Sequence, residues 1–175
     1  MTPIFLNEQH LDAFVTHRDQ LIAQSGKNGN PIFNPYDSTC STDNFDLKQN
    51  RPSQWAKSIK TPGWRRTWGV LDENRVVASL ELLGSGVETG MHRCLLMMGV
   101  LDGFKGRGLG KQLMEISIAW SKKHDLEWID LGVFANNEIA VSLYKSLGFQ
   151  ETGRVVDKFR VYDNLITDIQ MSLRL

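Results

Sequence analysis

The sequence predicts a mixed α/β fold in which helices cover both faces of one sheet. Three observations lead to this prediction. Segments typical of strands outnumber those with helical spacing, and most of the strands follow one another directly in the chain. The 175 residues suffice for one hydrophobic core, so we expect a single domain over residues 1–175. Hydrophobic residues make up 41% and charged residues 23% of the chain, the balance of a globular protein.

Charge and cysteine content narrow the functional class. The 20 Lys and Arg residues equal the 20 Asp and Glu residues, so no overall basic field favours a nucleic-acid partner. Cys40 and Cys94 are too few for a disulfide framework and lack the spacing of metal ligands. The first residues do not have the pattern of a signal peptide, and no apolar run reaches the length of a membrane span. We therefore expect a cytoplasmic protein without a metal site or a membrane partner.

The N-terminal third contains one clear helix and a long irregular segment. A short strand at "TPIFL" precedes a helix that Asn7 can cap and that runs to about Gln24. Residues 31–62 are polar and irregular, and a short helix is expected from Ser53 to Lys60. A loop of this length in a compact domain is often functional. Four aromatic residues either line a ligand site or fasten this segment to the sheet: Phe33, Tyr36, Trp55 and Trp64.

The rest of the chain consists mainly of predicted strands. "RRTWGVLD" and "RVVASLELLG" are two strands joined by a turn, and residues 93–101 form an apolar strand of the kind buried on both faces. After a glycine cluster, residues 128–135 are again a strand, and residues 137–147 are a helix that ends before Gly148. Residues 150–175 are expected to form a C-terminal hairpin that turns at Asp163–Asn164.

The glycine cluster lies in "GFKGRGLGKQLMEISIAW", residues 103–120, at the start of a predicted helix. One apolar stripe on this helix is formed by Leu109, Leu113, Ile116 and Trp120. The glycine spacing does not fit a dinucleotide fingerprint, and Gln112 replaces the hydroxyl residue of a P-loop. The free N–H groups of a helix N-terminus remain as an anion site, with Lys105, Arg107 and Lys111 adding charge. The alternative is an ordinary tight turn with solvated basic residues.

Two motifs together resemble the GNAT superfamily of acyl-CoA-dependent N-acetyltransferases. The first family signature, Arg/Gln-x-x-Gly-x-Gly/Ala, corresponds here to Lys105-Gly106-Arg107-Gly108-Leu109-Gly110, with Lys105 as the one departure. The second signature, N-x-x-A-x-x-L-Y-x-x-x-G-F, is complete and comprises Asn137, Ala140, Leu143, Tyr144, Gly148 and Phe149. The resemblance covers about residues 68–175, and the first 65 residues match only in layout.

The resemblance implies a mostly antiparallel sheet with one central parallel pair, the strands at 93–101 and 128–135. These strands would splay apart at a bulge in the first of them. Residues 93–149 would form the acetyl-CoA-binding core, and residues 25–66 a variable acceptor-side segment. The glycine turn would hold the pyrophosphate of coenzyme A, with the pantetheine arm in the split. The implied cofactor-binding residues are Val100, Lys105, Gly106, Arg107, Gly108, Leu109, Gly110, Lys111, Asn137 and Tyr144.

The resemblance also implies direct transfer of the acetyl group from acetyl-CoA, as cosubstrate, to an amine in a ternary complex. The backbone N–H of Met98 is the expected oxyanion donor, and Tyr144 is expected to protonate the leaving thiolate. Asn137 caps a helix, contacts the cofactor, or does both. Glu81 and His92 are the candidates for a general base, although for each a non-catalytic interpretation is preferred: a solvated strand residue for Glu81 and a turn or packing residue for His92. An amine deprotonated by its environment needs no strong base.

The acceptor is expected between the 25–66 segment and the C-terminal hairpin. Lys158 and Arg160 on that hairpin either suit an acceptor with negative charge or are simply exposed. The leading interpretation is an N-acetyltransferase that acts on a small-molecule or peptide amine. The alternative is a catalytically silent CoA-binding sensor or interaction module. The sequence leaves open the identity of the amine, the use of other acyl groups, and whether the chain forms a homodimer.

Overall fold

The computed structural model describes residues 1–36 and 44–175, so Cys40 lies outside the described residues. These residues form one seven-stranded sheet and four α-helices. The strands are β1 (Ile4–Phe5), β2 (Arg65–Asp72), β3 (Arg75–Gly84), β4 (Arg93–Val100), β5 (Trp128–Phe134), β6 (Gln150–Val161) and β7 (Asn164–Arg174). The helices are α1 (Leu11–Gln24), α2 (Asn44–Ala56), α3 (Leu109–Lys123) and α4 (Glu138–Ser146). Across the sheet, the strand order is β1-β2-β3-β4-β5-β7-β6.

The centre of the sheet is a parallel pair that separates along its length. The β4–β5 ladder comprises three residue pairs and ends at Leu95–Asp130. Beyond that point β4 stays paired with β3 as far as Val100, and β5 stays paired with β7 as far as Phe134. The other five strand pairs of the described sheet are antiparallel. The mostly antiparallel sheet with a splayed central pair, expected from the resemblance, is therefore confirmed.

The bulge expected in β4 is not found. The register of β4 on β3 is continuous from Cys94 to Val100 in the described ladder. The split instead arises because each central strand follows its outer neighbour, and the two outer neighbours diverge.

Helices cover both faces of the sheet, as predicted. α3 and α4 pack on the main core, where Leu80 and Ile129 of the sheet lie against Leu113 and Tyr144 of the helices. α1 lies on the opposite face, because a Cβ added to Gly99 would be 2.3 Å from Leu21. α2 lies on the α1 side, since the indole of Trp55 donates to the hydroxyl of Thr67 at 2.8 Å.

Three other local predictions differ from the structure. The strand expected to be buried on both faces, β4, exposes Leu95 and Met97 on one of them. The helix expected at Ser53–Lys60 begins at Asn44 and contains Pro52 in its interior. A proline there removes one helical hydrogen bond, but tertiary contacts of this helix outweigh that local preference. The hairpin turns at Tyr162–Asp163, one residue earlier than expected, and both residues have positive φ, 48° and 63°. Two left-handed residues are what a two-residue turn between twisted strands needs.

The aromatic residues of the 25–66 segment divide between the two interpretations. Trp64 is fully buried in the main core, and the ring of Trp55 lies 5.8 Å from that of Phe14. Both therefore fasten the segment to the sheet. Phe33 lies beside the glycine turn, with the ammonium of Lys105 5.4 Å from its ring centre, whereas Tyr36 is exposed.

None of the helices in the described part of the chain is both long and apolar enough to cross a membrane.

Candidate active site

The turn between β4 and α3 exposes its backbone. Gly103, Gly106 and Gly108 have φ values of 81°, 73° and 77°, the left-handed region that glycine adopts without cost. A Cβ added to Gly106 or Gly108 would meet no atom within 4 Å. The space in front of this backbone is therefore open to a ligand, and a side chain would occupy part of it.

The first turn of α3 presents free hydrogen-bond donors next to this space. The carbonyl of Gly108 accepts from the N–H of Gln112 at 3.0 Å. The N–H groups of residues 109–111 precede the first helical donor and have no partner within the helix. The first turn carries no acidic residue. Together with the helix dipole, these donors fit a pyrophosphate.

The three basic residues near the turn have local partners. The ammonium of Lys105 lies 2.7 Å from the carboxylate of Asp102 and 2.6 Å from the side-chain oxygen of Asn30. Arg107 donates to a carbonyl of the turn at 2.6 Å, and Lys111 lies 3.9 Å from a glutamate one helical turn later. The ammonium of Lys105 is therefore engaged locally, whereas the N–H groups at the start of α3 have no partner within the helix.

A second group of donors points into the split between β4 and β5. The N–H of Leu101 donates towards β3 at 2.9 Å, whereas the carbonyl of His92 accepts from the start of β5 at 3.3 Å. Because neighbouring residues of a strand alternate in direction, the N–H groups of Met98 and Val100 point towards β5. Both lie beyond the last β4–β5 pair, so neither has a strand partner on that side.

Tyr144 lies on α4 and is buried in the main core. It is 6% exposed, and its ring centre lies 5.8 Å from that of Phe149. Burial raises the pKa of the Tyr144 phenol to about 12, so the hydroxyl stays protonated at neutral pH. Leu143 and the side chain of Met98 both lie 3.5 Å from the position of a Cβ added to Gly110. Leu143, the residue before Tyr144 in α4, therefore lies near both the start of α3 and Met98 of β4.

Asn137 caps α4. Its side-chain oxygen accepts from the N–H of Ala140 at 3.3 Å, which satisfies a donor of the first turn. This confirms the capping interpretation. Contact of Asn137 with a cofactor stays a prediction.

The two candidates for a general base are poorly placed for that role. Glu81 is 5% exposed and forms ion pairs with Arg51 and Arg65, so the interpretation as a solvated strand residue is wrong. Protonation of its carboxylate would leave two guanidinium groups without their counter-charge. His92 is exposed and precedes Met98 by six residues of extended chain. At about 3.3 Å per residue this places the two about 20 Å apart.

The acceptor is expected to reach the split from the sheet face opposite α3. Leu95 and Met97 of β4 are 41% and 44% exposed there. Asp168 of β7 is buried, and its carboxylate accepts from the ammonium of Lys158 at 2.6 Å. Arg160 is ion-paired with a carboxylate three residues earlier. Sequence reasoning missed Asp168, although a lone carboxylate within the apolar pattern of "NLITDIQMSL" was a signal for it.

The segment after α1 spans from the glycine turn to the hairpin. The side-chain amide of Asn30 donates to Asp102 at 2.8 Å. Ile32, two residues later, packs with Val161 and Ile166 of the hairpin strands. This part of the 25–66 segment therefore touches both the glycine turn and the hairpin.

The chain matches the acetyltransferase (GNAT) family over residues 32–149, and it belongs to that family. It is 26% identical over 103 residues to the uncharacterized N-acetyltransferase YycN of Bacillus subtilis (strain 168), a match that covers 58% of this chain and 65% of the relative. It is 45% identical over 53 residues to the mycothiol acetyltransferase of Renibacterium salmoninarum, covering 30% of this chain and 16% of the relative. Both matches span less than two thirds of the relative's length.

The fold is similar to that of yncA of Salmonella typhimurium, whose structure was solved with its cofactor acetyl-CoA. The TM-score is 0.79 at 16% sequence identity, and the likeness covers 100% of this chain and 94% of that one. At this level of identity the likeness shows the fold alone.

Proposed function

We propose that the chain is an N-acetyltransferase that moves the acetyl group of acetyl-CoA directly to an amine in a ternary complex. One observation carries the proposal: among the described residues, backbone N–H groups without a helical partner lie at the start of α3, and others without a β4–β5 partner lie in the split. The first set suits a pyrophosphate, and the second suits an extended amide arm that ends in a thioester. Membership of the acetyltransferase (GNAT) family supports this assignment.

The cofactor-binding roles follow from the open backbone. The N–H groups of residues 109–111 would hold the pyrophosphate, and Gly106 and Gly108 leave room for it. Lys105, Arg107 and Lys111 add positive charge around it. Val100 would pair with the pantetheine arm, which enters the split as an additional strand. Residues 93–149 would thus form the cofactor-binding core, with the acceptor between the 25–66 segment and the hairpin at 150–175.

Two groups would serve the chemical step. The N–H of Met98 points into the split and would donate to the thioester carbonyl oxygen as negative charge develops on it. Tyr144 would donate to the leaving sulfur. A phenol with a pKa of about 12 is a weak acid towards a thiolate whose ordinary pKa is about 8.5. A strong hydrogen bond to the sulfur therefore accounts for more of its effect than early proton transfer. Asn137 begins the helix that carries Tyr144 and would touch the same arm.

The role we propose for Glu81 is to join α2 to the sheet by its ion pairs with Arg51 of α2 and Arg65 of β2, instead of the base role considered from the sequence. We propose that the protein is cytoplasmic, since a free Cys94 is in keeping with the reducing environment of the cytoplasm. Burial raises the pKa of the Cys94 thiol to about 12, so this thiol stays protonated and unreactive.

Release of free CoA thiol from acetyl-CoA tests the proposal. The assay would follow the thiol with a panel of primary amines and, in parallel, the thermal stabilisation by CoA. Amine-dependent thiol release above the hydrolysis rate supports an enzyme. Stabilisation by CoA without thiol release for any amine supports the sensor or interaction module. If CoA gives no stabilisation and no amine gives thiol release, both interpretations are contradicted.

A further inference from the structure

A buried carboxylate lies beside the split and has no role in the mechanism above. Asp168 is 3% exposed and pairs with Phe134 in the β5–β7 ladder. A Cβ added to Gly132 would lie 2.9 Å from Oδ1 and 3.2 Å from Oδ2 of Asp168. The carboxylate therefore lies against the backbone of Gly132, in space that a side chain at residue 132 would take.

The position of Gly132 along β5 places this carboxylate at the same height along the split as the residues expected to contact the thioester. Gly132 is two residues beyond the end of the β4–β5 ladder, and Met97 is two residues beyond it on β4. Both residues are exposed on the face opposite α3. The next residue, Met98, points its N–H into the split. The carboxylate of Asp168, carried by β7, thus lies over residue 132 of β5 at the edge of the split, on the face opposite α3.

Lys158 shows that this carboxylate binds a primary ammonium. Its Nζ lies 2.6 Å from Oδ2 of Asp168, and its side chain is 35% exposed. The β6–β7 register shifts between Val155 and Phe159, so Lys158 lies in a part of β6 without regular pairing. No rigid ladder fixes this lysine, and its long stem can turn the ammonium into solvent.

We propose that Asp168 binds the amino group of the acceptor, and that Lys158 occupies this position when no acceptor is present. The inference rests on the proposed function and adds an acceptor-binding residue to it. Leu95 and Met97 provide an apolar floor on the same face. Lys158 and Arg160 are both paired with carboxylates of the protein, which argues against the negatively charged acceptor considered from the sequence. The acceptor class that fits is a primary amine on an uncharged, apolar stem.

The carboxylate also gives the protons of the nitrogen a route. The bound ammonium first loses one proton to solvent through Asp168. The nitrogen then bonds to the acyl carbon while the carbon–sulfur bond breaks. The nitrogen becomes acidic as the new bond forms, and its second proton passes to Asp168 and on to solvent. The sulfur receives a proton from Tyr144, which regains one from solvent, so that an amide and a free thiol are formed.

Two probes that differ only in the group facing Asp168 test this inference. Calorimetry would compare 2-phenylethylamine with 2-phenylethanol on the full chain saturated with CoA. We expect the wild-type protein to bind the amine more tightly. Asp168→Asn should weaken amine binding by about 10- to 100-fold, the loss of a hydrogen bond to a charged group, and should change alcohol binding little. Lys158→Met should tighten amine binding, because it removes the competing ammonium.

A double variant, Asp168→Asn with Lys158→Met, removes both charges and leaves no unpaired lysine. The rise in melting temperature with CoA shows that each variant is folded and keeps its cofactor site. The same amine-to-alcohol preference in the wild type and the double variant would overturn the inference. If the variants acetylate an amine at the wild-type single-turnover rate, the inference fails while the proposed function stands. If the wild type prefers the amine through Asp168 but acetylates none, the proposed function fails while the binding site stands.

Discussion

The side-chain amide of Asn30 donates to the carboxylate of Asp102 at 2.8 Å and joins segments that lie 72 residues apart in the chain. Lys105 completes the cluster, with its ammonium 2.6 Å from Asn30 and 2.7 Å from Asp102. The side-chain oxygen of Gln24 accepts from the N–H of Asp102 at 3.0 Å. The glycine turn is therefore held from outside, by the end of α1 and the segment after it. A turn fixed in this way need not be ordered by its ligand.

Coenzyme A should stabilise the fold. A ligand at about 100 times its Kd adds about 2.7 kcal/mol, which corresponds to about 5–10 °C in Tm for a chain of this size. Differential scanning fluorimetry with increasing CoA measures the shift. Pantetheine, which lacks the pyrophosphate, serves as the control and should give a smaller shift. An unchanged Tm at saturating CoA would contradict the assignment of the glycine turn.

Gly108→Ala should weaken CoA binding by about ten-fold or more. The new methyl group would enter the space in front of the first α3 N–H groups, where a hydrogen bond to a charged phosphate contributes about 1.5–3 kcal/mol. The left-handed φ of 77° adds a stability cost of roughly 1–2 kcal/mol. Gly103→Ala is the matched control, since its φ is 81° and its Cβ also meets open space, but it lies away from the helix start. Equal Kd values for CoA in the two variants would count against the phosphate site.

Tyr144→Phe should slow the chemical step and leave CoA affinity almost unchanged. The substitution removes one hydroxyl from a core position and keeps the ring. General acid catalysis contributes about 10²- to 10⁴-fold, and the low end is expected because a thiolate leaves readily. Single-turnover kinetics separate this step from product release. Weaker CoA binding with unchanged chemistry would instead make Tyr144 a residue that positions the cofactor.

His17 should make the fold sensitive to acid. It is fully buried on α1, and burial lowers the pKa of its ring from 6.5 to about 4, an effect that the backbone of Val76 offsets only in part. Between these two values the unfolded chain binds a proton that the folded protein does not. Stability should therefore fall by about 3 kcal/mol as the pH drops from about 6.5 to about 4.

Urea unfolding at several pH values measures this dependence. His17→Leu should flatten the slope in that pH range, whereas His92→Leu, at an exposed position, should leave it as in the wild type. Parallel pH profiles for the wild type and His17→Leu would rule out His17 as the source.

Much of the proposed cofactor site could be predicted from the sequence because its signals are local. The glycines and the helix that follows them are adjacent in the chain, and the apolar stripe with Leu113 needs only helical spacing. The tyrosine motif likewise lies within one helix and its cap. The prediction of each of these features does not depend on the order in which the strands are arranged in the sheet.

The position proposed for binding the acceptor amine could not be predicted because it depends on register between distant strands. Asp168 faces Gly132 only because β7 pairs with β5 at one register, and a slip by one residue would turn its side chain to the other face. Glu81 is enclosed because α2 continues through Pro52 and brings Arg51 to it. No spacing within a single segment carries that information.

The three residue pairs that join β4 to β5 have a consequence for the order of events during turnover. Met98 belongs to one half of the sheet and Asp168 to the other, so whatever fills the split sets the gap between them. A pantetheine arm that pairs with both halves would fix this gap, and the amine would then meet two groups at a defined separation. We therefore expect a compulsory sequence in which acetyl-CoA binds first and CoA leaves last. Product-inhibition patterns would show CoA competing with acetyl-CoA alone, whereas random addition would give competition at both sites.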